Sequence, residues 1–318
     1  MKPKVLITYN IFGELYRQIL NDFDVIIPDS DEGTFTYEET LSKIGECDAL
    51  LSMWNFPVDE NLLSAGTKLK IVANYAVGYD NINVEAATKY GIVVANTPDP
   101  VTEPTADIAI GLILSLLRGI VAYDKRQRKG GYVKGIMTDL GYSLCDKKLG
   151  ILGMGRIGKA LAIRAKAFGM QIAYNNRHRL SAAEEERYNA QYMTFDELLS
   201  SSDILSINAP LTKETYHIID ADALSKMKSD AYIVNTARGP LIDEKALVEA
   251  LRSNKIAGAG LDVYEFNDTV SKELTELDNT VLLPHIGTQT VEARREMAQF
   301  AATNIRNFFF GGRVAKVN

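Results

Sequence analysis

Short apolar runs alternate with amphipathic stretches along nearly the whole chain. In its first part, strand-like runs fall near 4–8, 23–27, 49–52, 70–73 and 92–95, with helical spacing between them, for example over 59–65 and 84–90. A second series falls near 148–152, 171–174, 204–208, 232–235, 258–261 and 281–283, with helices expected over 157–168, 221–228 and 244–253. Strands alternating with helices of this length predict parallel sheets covered on both faces, the α/β class. Between the two series, Pro98, Pro100 and Pro104 punctuate the chain, and one long helical stretch then runs from about 105 to 129. This predicts a hinge, a connecting helix, and two doubly wound parallel-sheet domains joined there.

Composition narrows the function classes. With 46% hydrophobic and 24% charged residues among 318, the chain is neither disordered nor collagen-like nor a disulfide scaffold. The longest apolar run, 108–117, is flanked by Asp107 and Arg118 and is too short for a bilayer that needs about twenty residues. Lys2 and Lys4 lead straight into a strand-like run, which predicts no signal peptide. Lys and Arg total 35 against 41 Asp and Glu, a net charge of −6. An acidic chain without a long basic run predicts no nucleic-acid and no membrane partner. Cys47 and Cys145, the only cysteines, form no metal-type pair with each other or with histidines. They read as reduced thiols of a cytoplasmic protein, and no metal is expected.

The first chemical signal is Gly153-Met-Gly155-Arg156-Ile157-Gly158, after an apolar strand and before an alanine-rich helix. In such a loop the first glycine makes a tight turn, the second lets a pyrophosphate approach the backbone, and the third lets helix and strand pack closely. The next strand leads to Asn175-Asn176-Arg177-His178-Arg179, where an NAD site usually carries Asp or Glu for the adenosine ribose. Asn176 with Arg177, His178 and Arg179 reads either as a pocket for a 2′-phosphate or as solvated loop charge. Of the three histidines, His285 lies just past a strand, in Pro284-His285-Ile286-Gly287, where open α/β sheets place ligand chemistry. His217 reads as a packing or capping residue. Arg238, in Asn235-Thr236-Ala237-Arg238-Gly239, also follows a strand, where its guanidinium could hold a carboxylate in a bidentate way or make an internal ion pair.

At these residues the chain resembles the D-isomer-specific 2-hydroxyacid dehydrogenase family, closest to its glyoxylate/hydroxypyruvate reductase branch. The matching segments begin at Val72, Thr105, Gly153, Pro210, Asn235, Gly258 and Pro284 and run nearly end to end. The resemblance implies a Rossmann nucleotide domain, 99–287, inserted in a discontinuous flavodoxin-like substrate domain, 1–98 with 288–318. It also implies an active site in the cleft between them, and a homodimer. By the same resemblance, Arg238 binds the carboxylate of a small 2-oxo acid and polarises its carbonyl. His285 protonates the forming alkoxide, and is the base in the reverse oxidation of a 2-hydroxy acid. The backbone N–H groups of Val77 and Gly78 hold the carboxylate. The cofactor lies along Thr105, Gly153–Gly158, Asn176–Arg179, Pro210, Thr215, Thr236, Ala237, Asp262 and Gly287. NADP(H) is the preferred cofactor, with NAD(H) also accepted, and the product is the (R)-2-hydroxy acid.

Two departures from the family pattern stand out. Its catalytic glutamate falls on Asn267 here, with Glu265 and Asp268 as neighbouring carboxylates. The stretch 130–140 is short and lacks the family's tryptophan; the only tryptophan, Trp54, follows a strand of the substrate domain and either lines the side-chain pocket or packs. Two other functions remain open at this point. One is a non-catalytic, nucleotide-sensing corepressor, against which the length of the chain argues. The other is 3-phosphoglycerate dehydrogenase, against which the lack of an evident phosphate-binding cluster argues.

Overall fold

A computed structural model describes residues 2–131, 140–266 and 269–318. Asn267, Asp268 and most of the shortened stretch lie outside the described residues. Two compact units are present, one of residues up to Val101 together with Gln289–Asn318, the other Thr102–Thr288.

The first unit is a five-stranded sheet of β1 (Lys4–Ile7), β2 (Asp24–Ile26), β3 (Ala49–Met53), β4 (Ile71–Tyr75) and β5 (Val93–Ala95). Its order is β2-β1-β3-β4-β5 and every pair is parallel. Strands β3 and β4 are buried along their whole length, as continuous apolar strands covered on both faces should be. The helix Val291–Phe310 covers one face with Met297, Ala298, Ala301, Ala302 and Ile305, small side chains that allow close approach to the sheet. Thr290 starts that helix by accepting the Ala293 N–H at 3.1 Å.

The second unit is a seven-stranded sheet of β6 (Lys148–Leu152), β7 (Gln171–Asn175), β8 (Ala190–Tyr192), β9 (Ile204–Ile207), β10 (Tyr232–Asn235), β11 (Gly258–Leu261) and β12 (Thr280–Leu282). Its order is β12-β11-β10-β9-β6-β7-β8, again all parallel. The chain reverses its direction across the sheet between β6 and β9, the crevice where doubly wound sheets bind dinucleotides. The expected two-sheet α/β architecture is therefore present.

The long connecting helix is corrected. Thr102–Leu117 and Ile120–Arg128 are separate helices bent by 64°. Gly119 sits between them in the left-handed region, at φ 62°, which breaks the helical path. The first of the pair is a core helix, with Ala106, Ala109, Ile113 and Leu117 packed among residues of the sheet. Among the described residues no single helix is long and apolar enough to cross a membrane.

Candidate active site

The glycine loop leaves β6 at the reversal point. Gly153 has φ 96° and donates its N–H to Asn175 O at 3.0 Å; a β-carbon there would strike the Asn208–Ala209 backbone. At Gly158 a β-carbon would sit 2.5 Å from Gly153 O, so the helix Arg156–Ala167 lies hard against the turn. Gly155 is the opposite case: a β-carbon would meet nothing within 4 Å. Gly155 caps the helix without a side-chain acceptor and leaves open space at its own position, the arrangement in which a helix start can take an anion. Three glycines thus hold three different positions.

At the end of β7, Asn176 is not idle. Its Oδ1 accepts the Met154 N–H at 2.6 Å and fixes the middle of the glycine loop. Arg177, His178 and Arg179 are all exposed. Arg179, however, is committed to Glu185 through Nε at 2.8 Å and Nη2 at 2.9 Å. Arg179, helped by the Tyr174 hydroxyl, pulls the Glu185 carboxyl down to about 2. Arg177 makes no ion pair among the described residues, although it adds to the lowering of the Glu214 carboxyl, whose main cause is the Thr212 hydroxyl.

Two buried polar atoms near the same crevice have no partner among the described residues: Oδ1 of Asn208 and Oγ1 of Thr236. Buried acceptors and hydroxyls left this way call for a polar ligand or water. Thr215 Oγ1 donates to Pro210 O at 2.7 Å and closes the loop beyond β9. Together with the open approach to Gly155, these residues fit a nicotinamide dinucleotide.

The remaining chemistry lies past β10, β11 and β12, three adjacent strands. Asn235 shapes the Arg238 turn: its Nδ2 donates to Arg238 O at 2.9 Å and its Oδ1 accepts the Ala237 N–H at 3.0 Å. The Arg238 guanidinium bonds the Ala237 carbonyl at 2.7 Å. Asp262, only 1% exposed, accepts two backbone N–H groups, Ile286 at 2.7 Å and Gly287 at 2.8 Å. These are the two residues after His285, which is half-buried and held at φ 57°. Thr105 Oγ1 reaches the Gly287 carbonyl at 3.4 Å, and Tyr264 OH donates to Leu283 O at 2.8 Å. The His285 turn is therefore braced from both sides.

Sequence reasoning missed a neighbouring cluster. His217 Nε2 and Glu265 Oε1 are 2.6 Å apart, and Glu265 Oε2 accepts the Glu244 N–H at 2.9 Å. Both oxygens of Glu265 are thus engaged, one by His217 and one by the Glu244 N–H. His217 pairs rather than merely packing. Only its position before Ile218 and Ile219 was visible in the chain.

In the first unit, the turn after β4 carries Val77 and Gly78. Their carbonyls are anchored, Val77 O by Asn96 Nδ2 at 2.8 Å and Gly78 O by Asn74 Nδ2 at 2.7 Å. Their N–H groups find no acceptor among the described residues. Trp54 follows β3, is half-buried, and packs in the same apolar cluster as Val77. Among the described residues no group of three or more His, Cys, Asp or Glu side chains is placed to hold a metal ion.

Comparison with known proteins gives these turns a context. Residues 110–287 match the family model of the D-isomer specific 2-hydroxyacid dehydrogenase NAD-binding domain. The chain is 46% identical over 313 residues to a glyoxylate reductase of Thermococcus onnurineus, covering 97% of this chain and 93% of that one. Among solved structures, a glyoxylate reductase from Paecilomyes thermophila is 38% identical with a TM-score of 0.91, over 99% of this chain and 98% of that one. An NADPH-dependent glyoxylate/hydroxypyruvate reductase from Sinorhizobium meliloti, in complex with NADP and malonate, is 32% identical with a TM-score of 0.86, over 100% and 97%.

Proposed function

Because the chain belongs to the D-isomer-specific 2-hydroxyacid dehydrogenase family, we propose that it is a glyoxylate-type reductase that prefers NADPH and forms (R)-2-hydroxy acids. The family makes it an NAD(P)-dependent D-2-hydroxyacid dehydrogenase acting on a small 2-oxo acid. A bound nicotinamide supplies the hydride that reaches C2. The protein's own groups do the rest. Val77 and Gly78 offer the substrate carboxylate two backbone N–H groups that have no acceptor among the described residues. Arg238 adds a planar cation that binds the carboxylate and draws electron density from the carbonyl. His285 donates the proton that the forming alkoxide needs, and takes it back in oxidation.

The observation that carries this reading is the Asp262 carboxylate on the N–H groups of Ile286 and Gly287. It fixes the orientation of the His285 turn relative to the strand ends that also carry Arg238, which is what a positioned proton donor requires. In the cofactor pocket, Gly153, Gly155 and Gly158 with Arg156 and Ile157 hold the pyrophosphate. Thr105, Pro210, Thr215, Thr236, Ala237, Asp262 and Gly287 flank the nicotinamide half. Asn176 presents no carboxylate to repel a 2′-phosphate, and Arg177 with His178 attracts it. Trp54 borders the substrate side chain. The protein works as a cytoplasmic homodimer.

The test is the initial rate of NADPH and NADH oxidation with glyoxylate and other small 2-oxo acids. Turnover with higher kcat/KM for NADPH is expected. Tight NADPH binding without turnover on any 2-oxo acid would make the chain a nucleotide sensor instead.

A further inference from the structure

Among the described residues, the first unit contains a guanidinium with no ion-pair partner. Arg294, in the first turn of the helix Val291–Phe310, lies over the Trp54 ring with its Cζ 4.7 Å from the centroid. Its Nη2 donates to Gln289 Oε1 at 2.9 Å. Among the described residues it makes no ion pair, and it is half-buried. A guanidinium stacked on an indole face loses water from that face, while its N–H edges stay free in the ring plane to bind an oxygen. Among the described residues one of its five N–H groups is used.

Its position is fixed by the backbone rather than by its own charge. The Tyr75 hydroxyl donates to Arg294 O at 2.6 Å and so ties the helix start to the last residue of β4. Burial pushes that hydroxyl up to about 12, so it stays a donor at neutral pH. Tyr75 pairs in register with Met53, and the chain continues to Trp54 on one strand and to Val77 and Gly78 on the other. Tyr75 and Trp54 rings are 6.4 Å apart. Arg294, Trp54 and the Val77–Gly78 turn therefore share the C-terminal end of one sheet, the end at which open α/β sheets bind ligands.

We propose that Arg294, held flat on Trp54, is a specificity-determining residue that binds an oxygen-bearing substituent on C3 of the 2-oxo acid, a carboxylate most strongly. The proposal rests on the reading of Val77 and Gly78 as the grip on the substrate carboxylate. With C1 held there, the C3 substituent extends toward the side chains bordering the same turn, and an unpaired cation favours an anionic or hydroxyl group over a methyl. A four-carbon 2-oxo dicarboxylic acid and 3-hydroxypyruvate are then better substrates than pyruvate.

Glyoxylate has no C3 and serves as the internal control. The experiment measures kcat/KM with NADPH on glyoxylate, pyruvate, 3-hydroxypyruvate and freshly dissolved oxaloacetate, for the wild type, Arg294→Leu and Arg294→Lys. In the wild type both oxygen-bearing substrates should exceed pyruvate. Arg294→Leu should lose about tenfold to a hundredfold on them, the range for a hydrogen bond to a charged group, and change little on glyoxylate and pyruvate. Arg294→Lys should recover part of the loss. An equal loss on all four substrates, or no loss on any, overturns the proposal; the first result would make the stack a structural prop. Trp54→Leu gives a second reading if Arg294→Leu fails to fold, and should weaken the same discrimination. Failure of the wild type to reduce glyoxylate would instead sink the functional reading on which the proposal stands.

Discussion

The Asp262 carboxylate accepts the Gly287 N–H at 2.8 Å, across two neighbouring strand ends. With the Ile286 N–H at 2.7 Å, it leaves the turn after His285 almost no freedom. An acid fully buried at 1% exposure and bonded this way works through geometry. Asp262→Asn keeps the shape but replaces one acceptor with an amide donor facing an N–H. A lost bond to a charged group costs about 1.5–3 kcal/mol, so kcat should fall about tenfold to a hundredfold. Cofactor affinity, measured by quenching of protein fluorescence, should change far less. The reverse split would place Asp262 on the nicotinamide itself.

In the proposed cofactor pocket, the choice between NADPH and NADH turns on which cation is not committed to an ion pair. A carboxylate lowered as Glu185 is keeps its ion pair at every pH above its unfolded value, and loses it only as pH falls toward the folded value of about 2. Arg179 therefore stays with Glu185 under neutral and mildly acidic conditions. Arg177→Ala should lower kcat/KM for NADPH about tenfold or more and leave NADH nearly unchanged. Arg179→Ala should move the NADPH/NADH ratio much less. Glu185→Gln releases Arg179 and should raise the ratio; a fall would mean that Arg179 faces away from the 2′-position.

Asn74 anchors the turn whose Val77 and Gly78 N–H groups are proposed to hold the carboxylate. Its Nδ2 donates to Gly78 O at 2.7 Å, and its Oδ1 accepts the Ser52 hydroxyl at 3.2 Å. Asn74→Leu leaves the buried Ser52 hydroxyl and the half-buried Gly78 carbonyl without these bonds, a destabilisation of about 1–3 kcal/mol for the buried group and less for the other. The KM for the 2-oxo acid should rise more than kcat falls. Thermal unfolding checks the first effect and steady-state kinetics the second.

The family's carboxylate position, Asn267, and one candidate replacement, Asp268, lie outside the described residues, but the other candidate, Glu265, does not. Glu265 spends both oxygens on His217 and the Glu244 N–H. Asn267→Glu adds a charge that stabilises a protonated imidazole. The alkaline limb of reduction kcat/KM against pH should therefore move upward in that variant. Glu265→Gln should leave the limb in place. A downward shift in Glu265→Gln would mean that Glu265 reaches His285 during turnover.

Much of the fold was legible because parallel strands buried on both faces advertise themselves as apolar runs, as in β3 and β4. The strand β8 was not, since Ala190-Gln191-Tyr192 is three residues long and half polar. The bend at Gly119 falls just past the apolar run, at a single glycine between two stretches that each have helical spacing. Within the site, Gly153, Gly155 and Gly158 were readable from spacing alone. Contacts between distant segments were not: Trp54 meets Arg294, and His217 meets Glu265, only because the sheets bring their strand ends together. Asn176 was recognised as a missing carboxylate. Its bond to the Met154 N–H belongs to tertiary geometry, which no local pattern encodes.

The most direct measurement is chiral chromatography of the product formed from NADPH and 3-hydroxypyruvate, with His285→Ala run in parallel. The wild type should give the (R)-2-hydroxy acid alone, and His285→Ala should lose most of kcat while still binding NADPH. An (S) product, or undiminished turnover without the imidazole, would contradict a proton delivered from the His285 turn.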